Sequence, residues 1–322
     1  MGWSWSSILK HYAVRGLLLI VVQDAVNMRL GTFLFITTVL FALGVNIFLG
    51  ALILCIEDTV VKRATPILSS RQIDVIRPIA YFSFAAFLTV LPSLYVPKPS
   101  AVNNYFSNWY LFAFLPKANE ADWNNPGVVL SVYPFIPWLA HTVWGIAIGQ
   151  VSKRMKWNTG ALALVNMIAG ISMICIAIPL RYWANWTSIN PELVVPAIQS
   201  SFISFFNNVK YPPSVVYTLI TLGANHSLLS LLLLVNPRRI NESGPLIIFG
   251  SSSLFFYVTH FWVYRMFSAL LLFVGLLKED AMYSGIGFWL CYFGGLGIEY
   301  IICRKYAAFK KSTSKDSLWR LF

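Results

Sequence analysis

Eight stretches of the chain, at residues 12–28, 32–56, 76–96, 128–151, 160–180, 212–235, 246–273 and 282–303, are apolar over most of their length. A bilayer's hydrocarbon core is about 30 Å thick, and roughly 20 helical residues cross it. In that medium every backbone N–H and C=O must find its partner within the protein, which restricts such runs to helices or a closed barrel. Runs this long, without alternation of polar and apolar residues, read as helices. The sequence therefore predicts an all-α polytopic membrane helix bundle of about eight transmembrane helices. Composition agrees, because 57% of the 322 residues are hydrophobic and only 11% charged, which excludes one or two soluble domains. Residues 1–303 read as a single transmembrane domain and 304–322 as a basic tail, disordered or resting on anionic lipid.

The net charge of +12 raises the question of nucleic acid. The basic residues, however, are divided among short connections between apolar runs: Lys62, Arg63, Arg71 and Arg77; Lys153, Arg154 and Lys156; Arg238 and Arg239; and the tail. Their distribution sets topology, and the positive-inside rule places both termini in the cytoplasm. The expected partner is thus membrane lipid rather than nucleic acid, with self-association and the choice among endomembrane, vacuolar or lysosomal, and plasma membrane left open. The first run reads as a signal-anchor or internal helix, since no small-residue cleavage pattern follows it. Two longer connections fall on the outer side. The segment 97–127 carries Tyr105, Trp109, Tyr110 and Trp123, aromatic residues suited to the headgroup level. The segment 181–211 contains the sequon Asn185-Trp186-Thr187 and a surface-helix pattern from Val194 to Phe206. Cys55, Cys175, Cys291 and Cys303 lie in or at the ends of the runs and read as small apolar side chains, with no disulfide framework and no metal site.

Ionisable groups inside a bilayer are costly, on the order of 2.5–3.5 kcal/mol for Asp, Lys or Arg at a helix centre, and mark candidate sites. Here they are Asp24, His141, His226, His260, Arg265 and Glu299. Asp24 stands roughly 18 Å along the first run, His260 roughly 21 Å along the seventh and Arg265 a turn and a half farther, so these three are expected near the outer face. A histidine beside a carboxylate there is a candidate general base. His141 and His226 fall near mid-depth and read as neutral rings satisfied by neighbours. Glu299 reads as a snorkelling partner of Arg304 or Lys305. At Lys210-Tyr211-Pro212-Pro213-Ser214 the two prolines are expected to occupy the first turn of a helix whose mouth carries the lysine.

The same segment carries a family resemblance. Phe205-Phe206-Asn207-Asn208-Val209-Lys210-Tyr211-Pro212-Pro213-Ser214, followed by Thr221-Leu222-Gly223, resembles the Lys-Tyr-Pro-Pro-Ser…Thr-Leu-Gly signature of multispan proteins related to heparan-alpha-glucosaminide N-acetyltransferase. Tyr133-Pro134-Phe135-Ile136-Pro137-Trp138, with Gly145 and Gly149 downstream, is similar to that family's Tyr-Pro-Leu-Ile-Pro-Trp helix. Pro245-Leu246…Gly250 and Leu254-Phe255-Phe256-Tyr257…His260 resemble its late helix ending in Phe-Tyr-x-x-His. The resemblance implies transfer of an acyl group, acetyl from acetyl-CoA on the cytoplasmic side, to an amine or hydroxyl of a glycan on the other side, with no metal. It implies catalytic roles for His260 and Asp24, and substrate binding by Lys210, Tyr211, Tyr133, Trp138 and Arg265. Family members begin with a helix carrying Asp-x-x-Arg-Gly and a later histidine central to transfer, whereas this chain starts Met1-Gly2-Trp3, and His11–Gly16 resembles the next helix start. The departure leads to the expectation of a truncated gene model or shortened paralogue, and leaves enzymatic activity open. The alternative is a non-enzymatic transporter or scaffold for a solute or lipid.

Overall fold

The computed structural model describes residues 4–27, 35–94, 113–114, 129–131, 133–183, 205, 208, 210, 212–236, 241–276, 285–314 and 317–321. Most of 97–127, all of the 194–206 surface-helix segment except Phe205, and Tyr211 lie outside them. The described chain forms two compact units, Met1–Val235 and Asn236–Phe322.

The first unit holds α1 (Trp5–Asn27), α2 (Val39–Ala64), α3 (Ser70–Leu94), α4 (Phe135–Met155), α5 (Thr159–Trp183) and α6 (Val215–Leu233), with three-residue strands β1 (Phe35–Thr37) and β2 (Val129–Ser131). The second holds α7 (Pro245–Ser251), α8 (Ser253–Phe273), α9 (Gly285–Ser312) and a closing 3-10 turn at Leu318–Leu321. Seven of these helices are long and apolar enough to cross a bilayer. The remaining long helix, α4, is not among the seven and contributes buried Val143 and Ala147 to the core of the unit. The molecule is an all-α, multi-pass integral membrane protein whose only described strands are the six residues of β1 and β2.

Those strands correct two expected boundaries. The runs at 32–56 and 128–151 were each expected to be one helix, yet α2 and α4 begin only at Val39 and Phe135. Ahead of them β1 and β2 pair in parallel, Phe35 opposite Val129 through Thr37 opposite Ser131. Two parallel helices packed side by side bring their lead-in segments together, and a short ladder satisfies backbone groups that no helix reaches there. At the same end Gln23 of α1 accepts from the Phe41 N–H (2.8 Å) and the Thr38 hydroxyl (2.7 Å), capping α2 from outside, since Thr38 makes no side-chain cap.

At the other end the helices outrun their apolar stretches, because their polar residues bind one another. Glu57 of α2 accepts from Arg77 Nε and from Tyr81 Oη (2.9 Å) on α3, and from Gln150 Nε2 (2.8 Å) on α4. Trp5 Nε1 donates to Asp58 (2.6 Å), which also pairs with Lys62 at 2.7 Å. Tyr81, Ala85 and Leu88 of α3 pack with Leu139, Ala140, Val143 and Ala147 of α4 to form the core above this network.

The α5–α6 seam is the most extensive helix–helix contact of the unit. A Cβ on Gly170 would stand 2.6 Å from the Gly223 carbonyl oxygen and 2.9 Å from the Ser227 nitrogen, so both backbones depend on glycine for their approach. Ser230 Oγ donates across the seam to the Ala163 carbonyl (2.6 Å).

In the second unit the expected single helix over 246–273 is broken at Ser251-Ser252-Ser253, where α7 ends and α8 begins. Ser251 Oγ turns back to the Ile248 carbonyl (3.1 Å), the local bonding by which serine competes with a continuing helix. The tail also differs from expectation. Residues 304–312 continue α9, and the chain then folds back so that Tyr306 Oη donates to the Trp319 carbonyl and Arg320 Nη2 to that of Thr313 at 3.0 Å.

Candidate functional site

Helices α4 and α6 start at the same end of the first unit and run in the same direction: Trp138 meets Tyr217 with ring centroids 6.2 Å apart, and Trp144 meets His226 at 6.1 Å. Their backbones do not pack closely, unlike those of α5 and α6. Side chains on successive turns of α4, Trp138, His141 and Trp144, occupy this region.

Helix α6 begins one residue after Ser214, whose Oγ accepts from the Tyr217 N–H at 3.1 Å. Pro212 and Pro213 therefore lie in a turn ahead of the cap, not in the first turn of the helix, and are buried there. A hydroxyl cap satisfies an N–H that proline cannot, so the Pro-Pro-Ser order fixes the approach and leaves the cap to serine. The turn brings Lys210 Nζ to 5.5 Å from the centroid of the Tyr133 ring, within cation–π range. Tyr133 meets Trp138 at 5.3 Å, and Trp138 stacks on His141 at 5.1 Å with 28° between the rings. Lys210, Tyr133, Trp138 and His141 thus form a column reaching about 9 Å along α4 from its first residue.

The inner end of that column is polar and unmet. Trp138 Nε1 and both ring nitrogens of His141 are buried and have no hydrogen-bond partner among the described residues. The same is true of Asn46 Oδ1, whose side chain on α2 lies one turn before Gly50, the residue facing Thr142 and Ile146 of α4. Asp24 Oδ1, on α1 at this end of the unit, is a further unmet acceptor. Each buried polar group left without a partner costs about 1–3 kcal/mol, and such groups in a native protein call for a ligand, a water or a chemical role.

His226 is the opposite case. Its Nε2 accepts from Trp144 Nε1 at 2.7 Å, and its Nδ1 lies 2.7 Å from Asn166 Oδ1. Indole nitrogen only donates, and the Asn166 amide nitrogen is bonded to the Leu162 carbonyl (2.7 Å), so His226 is neutral with its proton on Nδ1. This is the satisfied ring expected from its depth in the sequence. His141 was expected to be satisfied as well; instead neither of its ring nitrogens has a hydrogen-bond partner among the described residues. Only a partner's position on another helix separates the two, and no local sequence signal carries it.

Of the other expected site residues, His260 and Arg265 belong to the second unit, whereas Asp24, Tyr133, Trp138 and Lys210 belong to the first. His260 lies between the rings of Phe256 (5.6 Å) and Phe261 (4.0 Å), with Nδ1 3.2 Å from the Phe256 carbonyl oxygen. Arg265 is exposed on α8. Glu299 differs from its expected pairing with Arg304 or Lys305: it is fully buried, with Oε2 3.0 Å from Thr259 Oγ1 and 3.8 Å from Cys303 Sγ. On α9 it faces α8, whereas Arg304 and Lys305 are exposed.

The column can stack a ring or sugar face, donate from an indole N–H, and both donate and accept at an imidazole, which suits a ligand bearing hydroxyl or amino groups. Among the described residues no three His, Cys, Asp or Glu side chains gather as metal ligands would. Compared with family models, with curated proteins and with solved structures, the chain matches none.

Proposed function

We propose that this membrane protein transfers an acyl group, acetyl from acetyl-CoA, to an amine or hydroxyl of a sugar held at the Lys210–Tyr133–Trp138–His141 column. The observation that carries the reading is His141, whose two buried ring nitrogens, like the adjacent Trp138 indole N–H, have no hydrogen-bond partner among the described residues. A neutral imidazole there accepts the proton of the acceptor group as its nitrogen or oxygen bonds to the thioester carbonyl carbon. The carbon–sulfur bond breaks, and the proton passes from His141 to the departing thiolate of coenzyme A. Trp138 Nε1 orients the acceptor by donating to one of its oxygens, and Tyr133 with Lys210 forms the entrance. The resemblance also implies a base at His260 and a substrate contact at Arg265 in the second unit, and a carboxylate role for Asp24 in the first.

The test is acetylation of a glucosamine-terminated acceptor by purified protein in liposomes supplied with acetyl-CoA. His141→Gln should lower the rate by about 10²–10⁴-fold, the range for loss of a general base, and His260→Ala run alongside shows which histidine carries the step. Absence of transfer to any amino-sugar acceptor by the unaltered chain refutes the reading. Acceptor uptake without acetyl-CoA, abolished by His141→Gln, would assign the column to transport instead.

A further inference from the structure

Glu299 of α9 is fully buried, and only one of its two carboxyl oxygens is engaged among the described residues. Oε2 lies 3.0 Å from Thr259 Oγ1 of α8 and 3.8 Å from Cys303 Sγ one turn farther along α9. Oε1 is buried and has no hydrogen-bond partner among the described residues. Aromatic rings close the site on both sides. One turn before Glu299 the Tyr264 ring lies so close to Gly295 that no Cβ would fit there, and two turns after it Tyr306 stacks on Phe255 at 3.9 Å with 4° between the rings.

A carboxylate in such a place needs a counter-charge. Among the described residues Glu299 belongs to no ion pair, and Arg304 and Lys305 of the same helix are exposed. The titratable groups around it are His260 and Tyr264 of α8 and Cys303 of α9, whereas α7, the other helix packed against α9, carries none. Phenol and thiol offer no positive charge, and His260 Nδ1 lies 3.2 Å from the Phe256 carbonyl oxygen. An isolated carboxylate taken out of water loses more than hydrogen bonds return, so it takes up a proton instead. The proton count at Thr259 agrees. Its hydroxyl has one proton, yet Oγ1 lies 2.9 Å from the Phe255 carbonyl oxygen, 3.4 Å from that of Phe256 and 3.0 Å from Glu299 Oε2. Donation to the Phe255 carbonyl, a common bond of threonine in a helix, leaves Oγ1 to accept from Glu299. A proton on Oε2 completes both bonds, whereas a bare carboxylate leaves one of them without a proton.

We propose that Glu299 is a proton-binding site within the second unit, holding on Oε2 one proton that it donates to Thr259 Oγ1. The proton comes from water, and its uptake turns the carboxylate into a neutral acid suited to the apolar contact of α8 with α9, with Oε1 left as a carbonyl-type acceptor. Ionisable groups held inside membrane proteins in this way serve as stations for protons. Parting of α8 from α9 would hydrate the acid and release its proton, which makes the helix pair a proton store. The site shares no residue with the aromatic column and is independent of the acyl-transfer reading.

Infrared difference spectroscopy of the full chain in liposomes, parent against Glu299→Gln at about pH 8, tests it. Solvated Asp and Glu are ionised at that pH, so a carboxylic C=O stretch reports only an acid that stays protonated. The parent should show this band at an intensity of one acid per chain, and Glu299→Gln should lose it. The variant should also melt at the temperature of the parent, because its amide nitrogen donates to Thr259 where the acid proton did. Absence of the band from the difference spectrum overturns the proposal and makes Glu299 a charged group balanced by His260. Failure of Glu299→Gln to fold overturns it as well, since the amide imitates the neutral acid. Stabilisation of the parent by sodium or potassium ions at fixed pH, absent from Glu299→Gln, also overturns it and assigns the carboxylate to a monovalent cation.

Discussion

Trp138 and Trp144, less than two turns apart on α4, each pair with a histidine, Trp138 with His141 of the same helix and Trp144 with His226 of α6. In the second pair every nitrogen is engaged: Trp144 donates to His226, which donates to Asn166, whose amide ends on a helix carbonyl. In the first, the rings stack at 5.1 Å, yet the indole nitrogen and both imidazole nitrogens are buried without hydrogen-bond partners among the described residues. Identical chemistry is thus closed in one place and open in the other. Closed polar networks hold helices in register, whereas open ones cost stability that a bound ligand restores.

Substitutions can break this contrast, beginning with the largest expected effect. His141→Ala should lower acyl transfer about 10²–10⁴-fold while leaving thermal stability unchanged or slightly raised, read by acetylation and by a melt on the same preparation. A loss of stability instead would place His141 among the closed pairs. Gly170→Val should cost about 3 kcal/mol or more, because its side chain meets the Gly223 carbonyl and Ser227 backbone across the α5–α6 seam. Denaturation in graded SDS measures it, and a near-neutral result would mean that the seam is looser than described. His226→Ala removes two interhelical hydrogen bonds, for about 1–2 kcal/mol in a membrane setting, and a matching Asn166→Ala loss should not add to it fully. Ser214→Ala, which removes the cap of α6, should cost about 1 kcal/mol and shift Lys210 relative to Tyr133, sharpening the comparison by weakening acceptor binding more than stability.

The span content was plain in the sequence because bilayer crossing demands length and apolarity together, and both are visible without tertiary information. Helix ends were not. Glu57 and Asp58 ended the apolar run of 32–56, yet α2 continues through them because Glu57 bonds to Arg77 of α3 and Asp58 accepts from Trp5 of α1. The β1–β2 ladder joins three residues to three others remote in sequence, too few to leave a period in either segment. The break at Ser251–Ser253 was legible in principle, since three consecutive hydroxyl residues favour local bonding over a continuing helix. For the column, Tyr133, Trp138 and Lys210 were found through motif resemblance. His141 was judged by depth alone, which it shares with His226, and the two differ because Trp144 of α4 and Asn166 of α5 engage the nitrogens of His226.

Helices α2 and α4 are fastened at both ends, by the β1–β2 ladder at one and by the Glu57–Gln150 bond at the other. Mechanically they form a strut that resists both sliding and splaying. Helix α6 meets α4 through aromatic tips while its backbone is held against α5. Any widening of the column to admit a ligand therefore falls on the α4–α6 boundary, with α5 and α6 moving as one body against a fixed wall.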